Sequence, residues 1–250
     1  QQQSRLLQVT TVSILHVAWA MVMGACSGRN DVVFGTVLSG LTTRESEDER
    51  SPGMFINTLP VRFQISRFAV ADSIKSAHRQ LTALTSHEHA PLALAKRCSA
   101  VSPNTPLFNV LLNYRHKQGA AEQELTAALA AEGIHMLNME ERTHYPFTLC
   151  IDESEIDLVL ALQSTSTTNN ERLLRYFETT LDHLLQTLAA DATTALAHIS
   201  VIPQDEHDQL VTHFNKTVNP LGESEFVHRQ FEKKTTSNPD AIALTFNGTN

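Results

Sequence analysis

The apolar positions form one dense run near the start of the chain and periodic patterns further along. Over residues 11–26 they cover nearly every face of a helix, with Gly24 near its end and Gly28 placed to stop it. That pattern predicts a helix buried on most sides. Residues 31–39, DVVFGTVLS, switch to β-branched and aromatic side chains and predict a central strand ended by Gly40. Residues 41–52 are polar, charged and turn-rich, as in an exposed loop. A strand pattern resumes over 55–65, where Pro60 demands an edge position, a bulge or a break.

Ile74, Ala77, His78, Leu81 and Leu84 recur at helical spacing and predict a helix over 70–85, with a second, short one after Pro91. LFNVLLNY at 107–114 predicts a strand, while the Ala- and Glu-rich stretch 122–132 fits either a short helix or an insertion. Residues 147–151 and 156–163 flank the acidic DESE turn as a hairpin. Leu173, Leu174, Phe177, Leu181, Leu184, Leu185 and Leu188 then mark an amphipathic helix over 170–188. After Ala189 strong periodicity is lost, which predicts an interdomain linker with one short helix between Pro203 and Asn215. A helix at 226–236 and a strand at 241–246 would open a new domain. The expected division is 1–190, a linker over 191–225, and 226–250.

The 250 residues exceed an average domain and fall short of two. With 42% hydrophobic and 18% charged residues, the chain can bury a core. A formal charge of -8 supplies no basic footprint, so neither nucleic acid nor an anionic membrane is an expected partner. Residues 6–28 lack charge and are long enough to raise a membrane span, since about 20 apolar residues cross a bilayer. Thr10, Thr11, Ser13, His16 and Ser27 dilute that stretch and favour a buried core helix. Cys26, Cys98 and Cys150 are odd in number and lack CxxC spacing, which predicts a reducing, cytoplasmic setting without a disulfide framework or zinc site. The chain begins Gln1-Gln2-Gln3 and stops just after the Asn247-Gly248 turn signal, so both ends are expected to be cut.

Compact signatures of cofactor, phosphate, zinc or serine chemistry (GxGxxG, the Walker loop, HExxH, GxSxG, the EF-hand loop) do not occur in the sequence. His87 and His89 in SHEHAP fit a surface bend better than a metal ligand set, and no metal or directly bound cofactor is expected. Glu45, Glu47, Asp48 and Glu49 are interrupted by Arg44 and Arg50 and fit a solvated loop. GTVLSG and GMFINTLP say more. Each sets a glycine among strand residues, and Asn57 and Arg62 fall at positions that look buried and would need partners.

DVVFGTVLSG at 31–40 followed by GMFINTLPVR at 53–62 resembles the C-terminal half of nonribosomal peptide synthetase condensation domains, members of the chloramphenicol acetyltransferase-like superfamily. AWAMVM at 18–23, HEHAPLA at 87–93, LFNVLLNYR at 107–115 and YPFTLCID at 145–152 follow the family's order. VHRQFEKKTTSNPDAIALTF at 227–246 resembles the opening of an adenylation domain. Leu41 stands where the family often has Arg, and the Asn57-Thr58 pair argues against the related epimerisation domains.

The resemblance implies an α/β fold of the α+β type: one lobe of an acetyltransferase-like pair, a mixed sheet backed by helices, then an extended linker. It implies that an amine on one carrier attacks a thioester on another, both substrates arriving on phosphopantetheine, with the second His of an HHxxxDG motif near the reacting atoms. No HHxxxDG occurs in these residues, so the motif is expected upstream and the chain alone is expected to be inactive. Gly35, Gly40, Gly53, Asn57 and Arg62 would support the tunnel and lobe interface. Arg62 would pair with the motif's aspartate, and Asn57 would hydrogen-bond backbone. Upstream and downstream carrier domains, the N-terminal lobe and an adenylation domain in cis, which uses ATP, are the implied partners. A noncatalytic remnant or docking lobe, a heterocyclisation variant and a free-standing acyltransferase using coenzyme A are the competing expectations.

Overall fold

The computed structural model describes residues 2–38, 56–65, 68–116, 128–129, 131–134, 143–154, 157–165, 168–217 and 226–249. The expected loop at 41–52 and most of 122–132 lie outside these residues. The chain divides into two units, Gln1–Pro203 and Gln204–Asn250.

The first unit is a five-stranded mixed sheet with its long helices on one face. β1 (Asp31–Leu38), β2 (Asn57–Gln64), β3 (Val110–His116), β4 (Phe147–Glu153) and β5 (Leu158–Ser164) run in the order β2-β1-β3-β4-β5. β1, β3 and β4 are parallel, and β2 and β5 pair antiparallel at the two edges. Pro60 therefore sits where a missing N–H costs least, on an edge strand opposite Gly35. Side-chain amides cap both free edges: Gln80 donates to the Arg62 carbonyl at 3.0 Å and Asn170 to the Leu162 carbonyl at 3.2 Å. Such caps protect edges that would otherwise template pairing with other chains.

α1 (Gln2–Leu7) leads into α2 (Thr11–Ser27), the central helix of the covering layer. α2 is buried on most sides because α3 (Val70–Thr85), α5 (Asn170–Ala190) and the sheet all pack on it. Gly28 ends it in the left-handed region at φ 64, and Arg29 N–H bonds back to the Gly24 carbonyl at 3.0 Å, a Schellman-type stop. Phe34, Val61, Leu112, Leu149, Ile151, Trp19, Ile74, Phe177 and Leu184 fill the space between layers. Trp19 meets Phe177 edge-on with ring centroids 6.0 Å apart, a favoured aromatic geometry.

Three expectations need correction. Residues 191–203 belong to the first unit: Ala69 bridges Ala195, and Leu196 and Ile199 are buried in the core. Two isolated apolar residues without periodicity are enough to seat that stretch. The strand expected from Leu107 begins at Val110, because Phe108 turns onto the sheet face. In the second unit, α6 (Gln204–Asp208) runs into a π-helical turn (Gln209–His213), and α7 spans Val227–Ser237. The strand expected at 241–246 does not form among the described residues. Ile242, Leu244 and Phe246 alternate but stay exposed, and the only ladder there is the Phe246–Thr249 bridge, so the alternation lacks a partner strand.

Candidate functional site

Alternation sorts β1 and β2 into two faces. Val32, Phe34 and Thr36 with Leu59, Val61 and Phe63 face the helices. Asp31, Val33 and Gly35 with Pro60, Arg62 and Gln64 share the outer face. On that face Gly35 leaves room for an aromatic ring: a Cβ there would lie 2.3 Å from Cε2 of Phe108. Phe108 in turn stacks on Tyr145 at 5.5 Å between centroids. Beside this stack opens a cavity of about 900 Å³ lined by Asp31, Val33, Pro60, Arg62, Cys98 and Leu107, among others.

Arg62 is exposed rather than buried, because Val61 and Phe63 take the core side of the strand and leave position 62 on the other. It grips Asp31 with both nitrogens, Nε to Oδ1 at 2.8 Å and Nη2 to Oδ2 at 2.5 Å. The hydrogen bond from Arg62 holds the Asp31 carboxyl below the usual carboxylate range. A bidentate pair fixes the fork in a plane, so Arg62 is held in one orientation on this face.

Asn57 opens β2. Its amide donates to the carbonyls of Glu88 at 2.6 Å and Ala90 at 2.8 Å, and its oxygen accepts from Thr58 N–H at 2.9 Å. Those carbonyls belong to the stretch that leaves α3 on the helical face and reaches α4 (Leu92–Arg97) beside the outer-face cavity. Asn57 thus clasps the chain where it passes around the sheet edge. The SHEHAP stretch is only partly the surface bend expected, since the Glu88 side chain is 2% exposed while that of His89 is 69% exposed. Gly40 and Gly53 lie outside the described residues.

On the helical face, sequence reasoning missed His16. Its ring is buried, with Nδ1 2.8 Å from the Val12 carbonyl and Nε2 2.9 Å from Thr36 Oγ1. A carbonyl only accepts, so Nδ1 carries the proton and Nε2 accepts from the threonine hydroxyl. Burial lowers its pKa to about 4, which keeps the ring neutral. With both nitrogens engaged and no solvent contact, His16 ties α2 to β1 rather than moving protons. Its signal in the sequence was a histidine inside an otherwise apolar helix. Among the described residues no three His, Cys, Asp or Glu side chains converge as a metal site, and no helix is long and apolar enough to cross a membrane.

A family profile described as "Condensation domain" matches residues 1–211, taking in all of the first unit and Gly35, Asn57 and Arg62 with it. The chain belongs to the condensation-domain family. Among curated relatives, malpinin synthetase of Mortierella alpina is 35% identical over 244 residues, which is 98% of this chain and 3% of that protein. Malpibaldin synthetase of Mortierella alpina is 36% identical over 98% of this chain and 4% of its own length. Bacitracin synthase 3 of Bacillus licheniformis is 26% identical over 95% of this chain and 4% of its own. The chain therefore spans a small part of each relative.

The solved structures agree on the fold. The four-domain nonribosomal peptide synthetase holo-AB3403 overlays with a TM-score of 0.61 at 15% identity, over 82% of this chain and 17% of that one. The starter condensation domain of rhizomide synthetase RzmA overlays with a TM-score of 0.54 at 18% identity, over 80% of this chain and 46% of that one. The mixed sheet backed by helices is thus that of condensation domains.

Proposed function

We propose that this stretch is the C-terminal lobe of a condensation domain that forms amide bonds between carrier-bound thioesters during nonribosomal peptide synthesis. The observation that carries the reading is the match over residues 1–211 to the condensation family. In the proposed reaction the nitrogen of an acceptor amine attacks the donor's thioester carbonyl carbon. The carbon–sulfur bond breaks, the phosphopantetheine sulfur leaves on its carrier, and the amine's proton passes by way of a polar group near the reacting atoms to that sulfur, giving the thiol. Holding two tethered reactants together removes much of the entropic barrier, and effective molarities in well-oriented systems reach about 10⁵ M or more.

The group near the reacting atoms is the second histidine of an HHxxxDG motif, which we place upstream of Gln1. Residues 1–203 supply a wall of the reaction tunnel and contacts to carrier domains, and they are inactive alone. The outer face holding Gly35 and Arg62, with the Asn57 clasp at its edge, supports the lobe interface. Gly40 and Gly53 have the same supporting role. Arg62, which holds Asp31 in this structure, pairs with the motif's aspartate. Residues 226–250 begin an adenylation domain, the ATP-using neighbour, in a cytoplasmic assembly line. Sequencing the coding region upstream of Gln1 tests this reading: HHxxxDG in frame within one domain's length supports it, and a start codon without that motif overturns it.

A further inference from the structure

β5 is an edge strand whose only sheet partner among the described residues is β4. Two hydrogen bonds fix which of its backbone groups that ladder uses. Ser154 N–H donates to the Asp157 carbonyl at 2.8 Å at the hairpin turn, and Thr165 N–H donates to the Pro146 carbonyl at 3.1 Å at the far end. Hydrogen-bonded and non-hydrogen-bonded pairs alternate along an antiparallel ladder, so Val159, Ala161 and Gln163 turn their backbone groups toward β4. Leu158, Leu160 and Leu162 turn theirs away, and the Leu162 carbonyl accordingly accepts from the Asn170 amide.

The side chains leave this edge unguarded. LVLALQS at 158–164 contains neither a charge nor a proline, two devices that ordinarily keep an edge from pairing. Val159 is 56% exposed, and Ala161, on the same outer face, is exposed as well. The charge pattern selects the partner: a parallel copy in register would set Asp157 against Asp157, whereas an antiparallel copy sets it beside an uncharged Ala161. The Asn170 cap closes the edge at Leu162, so such a ladder centres on Val159. Leu158 of each copy then exchanges two hydrogen bonds with Leu160 of the other, and Val159 faces Val159 across a two-fold axis. We infer that the β5 edge pairs with the same edge of a second copy of this chain, joining the two sheets into one. The contact is small, well below the roughly 1,200 Å² of a standard interface, so the dimer is weak and concentration-dependent. It stands apart from the proposed amide-forming reaction and uses the sheet edge opposite the one that holds Arg62.

The test uses the whole condensation domain with its native upstream half. Sedimentation velocity from micromolar to near-millimolar concentration is expected to show a reversible monomer–dimer equilibrium. Val159→Lys, at an exposed position, is expected to keep the parental melting midpoint and to weaken dimerisation at least tenfold, because like charges meet across the axis. Val159→Cys is expected to give a disulfide-linked dimer under mild oxidation, since opposed non-hydrogen-bonded residues bring their Cα atoms to about 4.5 Å. Ala161→Cys is offset from its counterpart by about 14 Å of strand and is expected to link no more than the parent, whose own cysteines set the background. Should Val159→Lys fail to fold, the two cysteine variants decide. A parent that stays monomeric throughout overturns the inference, as does a folded Val159→Lys that dimerises within twofold of parental, or linking at position 161 equal to linking at position 159. A monomeric parent whose Leu158 and Leu160 amides gain exchange protection from an added extended peptide also overturns it, and gives the edge to a peptide partner.

Discussion

A Cβ at Gly35 would lie 2.3 Å from Cε2 and 2.7 Å from Cζ of Phe108, whose ring occupies that position. The missing side chain in β1 is thus filled by an aromatic residue 73 positions later, which in turn stacks on Tyr145. Gly35→Ala is expected to cost about 1–3 kcal/mol, the usual range for overpacking, because ring and strand must separate. Phe108→Leu in the same molecule is expected to return part of that loss. Urea unfolding of the four members of the cycle checks the coupling, which is non-additive only if the two residues touch.

Asn57→Ala removes both donors from the Glu88 and Ala90 carbonyls at once. A loss of about 1–3 kcal/mol is expected from leaving such groups unpaired. Amide exchange is expected to speed up over 86–91 more than over α5, since the clasp is local. A uniform change across the domain would contradict the clasp.

His16 titrates at about 4 in the folded domain, against an ordinary histidine value of 6.5. The unfolded chain therefore binds a proton that the folded one refuses between those values, and stability falls as pH drops through that window. The neutral ring's contribution is complete above pH 6.5 and is lost progressively toward pH 4, at roughly 1.4 kcal/mol per pKa unit. Comparing urea midpoints of the parent and His16→Gln from pH 7 to pH 4 isolates this group. The variant is expected to show the shallower slope.

Arg62 and Asp31 face solvent, and exposed pairs contribute little to stability. Arg62→Ala is expected to leave the melting midpoint close to parental. Its amide-forming rate is expected to fall at least tenfold if the residue works across the lobe interface. A parental rate in a folded Arg62→Ala domain removes that role.

Much of the fold was legible because its signals repeat. α2, α3, α5 and the β4–β5 hairpin lie within a few residues of their expected limits, since helical or alternating apolar positions determine which side is buried. The exposure of Arg62 was also in the pattern: Leu59, Val61 and Phe63 alternate, so position 62 must face away from them. The burial of Glu88 was not legible. It follows from the chain crossing the sheet edge at Asn57, a contact 31 residues apart that no local pattern announces. Likewise Tyr114 and Glu153 each sit in strand sequences that look ordinary, and only the parallel register of β3 and β4 joins them. Leu196 and Ile199 were hidden for the opposite reason, being single apolar residues in a stretch whose composition suggests a linker.

The measurement that reaches the central claim most directly is product formation by the whole domain. Donor and acceptor carriers loaded with different aminoacyl groups would be mixed with the condensation domain including its upstream half, and with residues 1–203 alone. Mass spectrometry would follow the acyl chain on each carrier. The account predicts transfer of the donor acyl group onto the acceptor carrier as a dipeptidyl thioester with the whole domain, and none with residues 1–203. Whole domain that leaves both carriers unchanged, or residues 1–203 that join them unaided, would contradict it.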